Sequence, residues 1–352
     1  MNLLQSLRRR GQSVWLDQFE RGWIISGQLQ HYIDDDGLRG VLSNFQSLQV
    51  AIQGQGYDRD FSTLTRQGTK LATRHYYDYL ITRDLQLAAD LLKKTHSQTH
   101  GRDGYIQVDL APDTLLQAET AIAEAQRIWR CVGWRNLMLR IPVTQMMLPV
   151  IEQLISDRIN VNATLVFSQM MYEQVLNAYL QGLEFLIQQG ESVSDIACFT
   201  SFSIGRLDAA IHPLIASSLE TTSFGIAQAK LLYQQYRNVC QSERWRALRK
   251  RTNPLRIVWD CTSINPQNPS HYVQSLAAPG TVIVLSPSIL KSYAEVSLLP
   301  TNLIDNLEGV EQILASLPQL DEIANQLVNE EIAQSLKAFD RLYLTIDHKR
   351  IY

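Results

Sequence analysis

Asp17, Asn44, Asp109, Arg140, Asn162, Thr164 and Ser201 all stand late in short apolar runs, and Arg206 lies just beyond the last of them. A strand buried on both faces of a parallel sheet is nearly all apolar, so polar side chains at its carboxyl end need a reason. Singly, each is equally well a satisfied residue where a loop begins. Seven together are better explained by one shared polar pocket. Arg140 poses the sharpest question. In NLMLRIPVTQ (136–145) a guanidinium follows an apolar run, and a proline closes the run two positions later. Its planar fork suits an anionic or hydroxylated ligand. The plainer expectation is a buried Arg–Asp cluster with Asp17 and Asp109, because a buried charge needs a partner.

The elements that must position these residues alternate along the chain. Eight short runs read as strands: 13–17, 38–44, 104–110, 136–141, 160–167, 196–202, 255–261 and 281–287. Helical patterns lie between them. TLLQAETAIAEAQRIWR has apolar residues at helical spacing, with Asp113 before it as the expected cap. YEQVLNAYLQGLEFLIQQG repeats the pattern and closes on a glycine. Alternation of strand and helix implies parallel pairing through right-handed crossovers, and eight units imply a closed (β/α)8 TIM barrel. In such a barrel the carboxyl ends of the strands converge on one mouth, where the polar residues would meet. Residues 57–98 read as extra helices between strands 2 and 3. The amphipathic stretch 302–350 would cap the barrel or cover its rim. The whole chain, 1–352, is read as one domain.

Composition permits a large core: 45% of residues are hydrophobic and 19% charged. A net charge of −3 gives no sign of a nucleic-acid partner. No apolar run reaches the roughly 18 residues of a membrane span. The basic cluster in MNLLQSLRRRGQ follows its apolar stretch, the reverse of a secretory signal. Cys131, Cys198, Cys240 and Cys261 lack CxxC spacing and read as free thiols of a cytoplasmic protein.

The order of motifs is similar to that of the transaldolase family, in its longer bacterial form, over nearly the whole chain. GQSVWLDQFERGWIISGQL resembles the family's opening GQSIWLDNISR, and DGLRGVLSN resembles DGVRGVTSNP. GRDGYIQVDLAP resembles GRDGYVSLEVSP, and NLMLRIPVT resembles NLMIKIPAT. INVNATLVFSQMMYEQVLNAYLQGLE, long and specific, resembles INVNVTLIFS with its following helix. The resemblance implies the barrel fold and the chemistry of sugar phosphates in the pentose phosphate pathway. In the family a strand-four lysine forms a Schiff base with a ketose phosphate and carries a three-carbon dihydroxyacetone unit to an aldose phosphate. No metal and no cofactor are implied. By motif, Asp17 takes the strand-one acid/base position, Asn44 that of the strand-two asparagine, and Asn162 and Thr164 those of the strand-five pair. Ser201 and Arg206, in SFSIGRLD, match half of the phosphate clamp.

Three departures follow from the same alignment. The Schiff-base lysine is Arg140, the strand-three glutamate is Asp109, and the strand-seven cation falls on Ile264 in WDCTSINP. Phe45 also replaces the proline of TSNP, which would reshape the loop after strand two. The first departure is the grave one. An imine needs an amine that can shed its proton, whereas a guanidinium with a pKa above about 12 stays charged. The eight lysines all fall in segments read as helices or their ends, so no substitute amine is expected.

Other signals are read as structural. His96 and His100 lack a third ligand and read as surface residues. Asp34–Asp36 and the basic run 244–251 read as solvated faces. The leading expectation is a diverged transaldolase homologue in which dihydroxyacetone transfer is weak or absent and sugar phosphate binds weakly. The alternatives are a working transaldolase and a non-enzymatic binding or assembly partner. No nucleic acid or membrane partner is expected, and the sequence specifies no oligomeric state.

Overall fold

Each of the eight apolar runs forms a strand: β1 (Ser13–Leu16), β2 (Gly40–Ser43), β3 (Tyr105–Asp109), β4 (Leu137–Pro142), β5 (Val161–Val166), β6 (Cys198–Ser203), β7 (Arg256–Asp260) and β8 (Val282–Leu285). All neighbours pair in parallel, and β8 pairs back onto β1 to close the barrel in sequence order. This computed structural model describes residues 3–66, 71–214, 223–248, 252–264, 269–293, 307, 309–315 and 319–351.

The pleat has a period of two, so alternate residues face the barrel axis. Trp15, Leu42, Tyr105, Met138, Phe199, Val258, Val282 and Val284 form one inner apolar cluster. Gly40 is required there: a Cβ at this position would lie 2.6 Å from the Trp15 indole. At the amino-terminal end of the barrel Arg256 is buried. It pairs with Asp103 at 2.9 Å, donates to Ser13 Oγ at 2.7 Å, and sits over the Phe199 ring. A much larger core lies outside the strands, between them and the helices.

The extra segment between β2 and β3 contains three α-helices, Phe45–Gln53, Asp58–Arg66 and Thr73–Gln98. Their anchor is Arg21, buried between Asp60 and Asp84, with its guanidinium 4.1 Å from the Tyr57 ring centre. The C-terminal helix Leu320–Ile351 has 32 residues, about 48 Å at 1.5 Å per residue. It crosses the mouth, within the stretch 302–350 expected to cap the barrel or cover its rim, of which 302–306, 308 and 316–318 lie outside the described residues. Phe339 fixes it there, packing on Phe45, Tyr77 and Tyr343 with ring centres 4.4–5.3 Å apart. Phe45 thus begins a helix and holds the strap over the barrel.

One expected detail differs. Asp113 does not cap a helix: it lies in a 3-10 turn, Pro112–Leu116, and the helix begins later, at Ala118. Pro112 imposes that tight turn because its ring fixes the backbone and supplies no N–H. No described helix is long and apolar enough to cross a membrane.

Candidate active site

Asp17, Asn44, Asp109, Arg140, Thr164 and Arg206 line one cavity of about 480 Å³ at the carboxyl ends of the strands. The pleat explains the first four. Each stands two residues after an inward-facing neighbour: Trp15, Leu42, Gln107 and Met138. The register sets Asp109 beside Arg140, Arg140 beside Asn162, and Pro142 beside Thr164.

Arg140 Nη1 lies 3.3 Å from Asp109 Oδ2, with the two side chains 15% and 27% exposed. Of the expected cluster of Arg140 with Asp17 and Asp109, the Asp109 contact is present and no ion pair to Asp17 forms, and the pair does not fill the mouth, because it lines an open cavity. Arg140 Nε and Asp17 Oδ1 are buried without a hydrogen-bond partner. Buried polar atoms are rarely left so, and both point to a site built to meet a polar ligand.

The carboxyls are strongly perturbed. Burial, followed by repulsion from Asp260, pushes the Asp17 pKa up to about 7, against the pull of Arg140. Burial also raises the Asp109 pKa, with Arg140 opposing it and Asp260 adding to it. A carboxyl near 7 exchanges its proton at neutral pH and is suited to acid–base work.

Asn162 and Ser201 lie elsewhere. Both are buried below the cavity floor, and neither lines it. Asn162 Nδ2 donates to Gln107 Oε1 and to Ser201 Oγ, each at 2.8 Å, and Ser201 Oγ lies 3.0 Å from Asn162 Oδ1. They form a polar layer between the apolar cluster and the mouth. Asn44 does reach the cavity, but its side chain is already engaged. It accepts from Ser47 N–H at 2.8 Å as the helix cap and donates to the Asp17 carbonyl at 2.9 Å. Beside Thr164, the register of β5 with β6 breaks between Ala163 and Val166, and Leu165 takes a φ of 60°. Such a left-handed residue costs on the order of 1–3 kcal/mol. The bulge turns Leu165 onto the cavity wall.

Arg206 is placed by its neighbour. A Cβ on Gly205 would lie 2.2 Å from the Ser263 carbonyl oxygen, so the helix Ile204–Ile211 starts in direct contact with the loop after β7. Arg206 then forms an ion pair with Glu331 of the C-terminal helix. Ile264, at the aligned place of the second cation, is buried in the outer core.

Four charged lining residues were not singled out in the sequence as site residues. Asp260 ends β7 and receives hydrogen bonds from Thr262 N–H (3.0 Å) and Thr262 Oγ1 (2.7 Å). Its signal was available, since it stands two residues after the inward Val258. Glu331, Lys337 and Arg341 descend from the C-terminal helix, and no strand-end pattern marks them. Lys337 also corrects the ground for excluding a substitute amine: a helical lysine does line the mouth.

Among the described residues no group of three or more His, Cys, Asp or Glu side chains is placed to hold a metal. His96 packs edge-on against Tyr105. Arg244, in the basic run, pairs with Glu184 at 2.7 Å; residues 249–251 lie outside the described residues.

Comparison with known proteins matches residues 14–346 to the family described as Transaldolase/Fructose-6-phosphate aldolase. A protein of Trichodesmium erythraeum named Transaldolase is 32% identical, with 99% of this chain and 97% of that protein covered. Transaldolase 2 of Nostoc punctiforme is 30% identical over the same shares, and Transaldolase 1 of Streptomyces avermitilis is 32% identical over 94% of this chain and 91% of its own.

Proposed function

The chain belongs to the transaldolase/fructose-6-phosphate aldolase family, and from that premise we propose that its mouth binds sugar phosphates while imine-based transfer of a dihydroxyacetone unit is weak or absent. The observation that carries this reading is Arg140. It stands at the end of β4, inside the cavity, paired with Asp109. A guanidinium stays protonated and cannot become the imine nitrogen. What it can do is bind. With Nε unpartnered, Arg140 offers donors to a ligand hydroxyl or carbonyl oxygen, and Asp17 can accept or return a proton beside it.

Phosphate recognition falls to Arg206. A guanidinium can hold a phosphate by a two-pronged hydrogen bond, but here an incoming phosphate must displace the Glu331 carboxylate. Ser201, buried and bonded to Asn162, supports the floor beneath. With Ile264 in place of the strand-seven cation, the site should bind roughly ten- to hundred-fold more weakly than a clamp that keeps that contact. The protein is expected to act in the cytoplasm.

Calorimetric titration with fructose 6-phosphate tests this reading. Weak, saturable heat that Arg206→Ala abolishes supports it. No heat at millimolar ligand would favour a non-enzymatic partner role, and heat unaffected by Arg206→Ala would misplace the phosphate. One observation favours a second reading, a working transaldolase: Lys337 lines the mouth and carries a primary amine.

A further inference from the structure

A second concavity, larger than the mouth, lies outside the barrel. A groove of about 1060 Å³ runs between the helices Phe45–Gln53 and Asp58–Arg66 and the last turns of the C-terminal helix. Arg66, Arg341, Lys349 and Arg350 line it, with Asp58 as the one acid. Asp58 offsets Lys349, and Asp347 beside the groove offsets Arg350, which leaves two positive charges, on Arg66 and Arg341, without a counter-charge in a chain whose net charge is −3. The chain's overall composition does not account for such a concentration.

Two of these cations have evident structural work. Lys349 Nζ pairs with Asp58 at 2.7 Å and donates to the Ile52 and Gly54 carbonyls, closing the end of the helix Phe45–Gln53. Arg350 pairs with Asp347 at 2.9 Å and donates to the Leu71 carbonyl at 2.7 Å. Arg66 and Arg341 differ. Neither shows an ion pair or a side-chain hydrogen bond among the described residues, and both are exposed. Their guanidinium forks are available to a ligand, with Ser62, Thr65 and Thr345 hydroxyls on the walls between them.

We propose that this groove is a second anion site, distinct from the barrel mouth, which takes a small molecule bearing two or more phosphate groups. One phosphate would not span so large a groove, and two unpaired guanidinium forks, each matching phosphate oxygens in pairs, suit a ligand with a phosphate for each. Arg341 also lines the mouth, and Glu331, the partner of Arg206, stands on the same helix. A ligand in the groove competes with the mouth for Arg341.

Inorganic tripolyphosphate serves as the probe, titrated calorimetrically into the full-length protein at about 0.1 M salt, where charges beyond roughly 10 Å are screened. One saturable site is expected. Arg66→Gln should weaken it by about tenfold or more, in keeping with the loss of one charge-assisted contact, while Arg206→Gln leaves it unchanged. Arg66 is exposed, and matching melting curves will show that its variant folds. The inference is overturned by absence of saturable heat, by indifference to Arg66→Gln, or by loss of binding in Arg206→Gln, which would put the anion in the mouth. Binding of a single-stranded oligonucleotide but not of tripolyphosphate would also overturn the small-ligand assignment.

Discussion

Replacing Arg140 with alanine strands Asp109 in the mouth. Removing one partner of a fully buried ion pair costs about 3–5 kcal/mol. The side chains here are 15% and 27% exposed, which places the expected loss at the lower end, about 3 kcal/mol near pH 7.5. The loss depends on pH, and its sign can be worked out. Burial already holds the Asp109 pKa above its ordinary value of 3.8, and Arg140 is the first influence holding it down. Without Arg140 the folded-state pKa rises further. The variant then escapes its unpaired charge by binding a proton on folding, at about 1.4 kcal/mol for each pH unit above the ordinary value. That escape costs roughly 5 kcal/mol at pH 7.5 and under 2 at pH 5. The gap between wild type and variant should therefore shrink from about 3 to less than about 2 kcal/mol on acidification. Urea unfolding of both proteins at the two pH values measures it. A variant as stable as wild type at pH 7.5, or a gap that widens as pH falls, would refute the Arg140–Asp109 account.

Asp17→Asn should remove a pH-dependent penalty. The folded carboxyl has a pKa of about 7 against an ordinary 3.8, so the wild type loses stability as pH rises through that window, by up to about 4 kcal/mol. In urea titrations the advantage of the Asn variant should grow between pH 4 and 7.5; a constant difference contradicts the shift. Glu331→Gln frees Arg206 from a partly exposed ion pair worth about 1 kcal/mol, and calorimetry should show fructose 6-phosphate binding about three- to tenfold more tightly. Unchanged or weaker binding would mean that Glu331 does not compete with the phosphate. Phe339→Ala removes the ring that holds the strap and should cost about 3–5 kcal/mol. Hydrogen exchange should quicken along Leu320–Ile351 before it quickens in the strands, and uniform protection there would contradict the anchoring role.

The barrel was legible because parallel strands buried on both faces cannot hide their composition. Each of the eight apolar runs became a strand, and their late polar residues pointed to the mouth. The alignment placed Asn162 and Ser201 in the site, yet depth was not legible. One residue pair along a strand separates the cavity wall from the layer beneath, and only the register reveals that they bond to each other. Asp260 was legible by the same period of two, since it ends β7 two residues after the inward-facing Val258. Glu331, Lys337 and Arg341 were not legible from strand patterns. They reach the mouth because a helix that begins at Leu320, well over 100 residues after β6 ends at Ser203, lies across it, and an amphipathic pattern gives the face of a helix without its destination. Asp113 shows the limit of capping signals: Pro112 turns the chain before the helix can begin.

The central claim is that no residue of this chain forms the ketose imine. Incubation with fructose 6-phosphate and borohydride, followed by intact mass, tests it most directly, because reduction locks any imine onto the protein. The account predicts the mass of the untreated chain, with nothing derived from dihydroxyacetone added, since Arg140 cannot supply the nitrogen. A stoichiometric adduct mapped to any residue, with Lys337 the first to examine, would contradict the account and establish a working amine in the mouth.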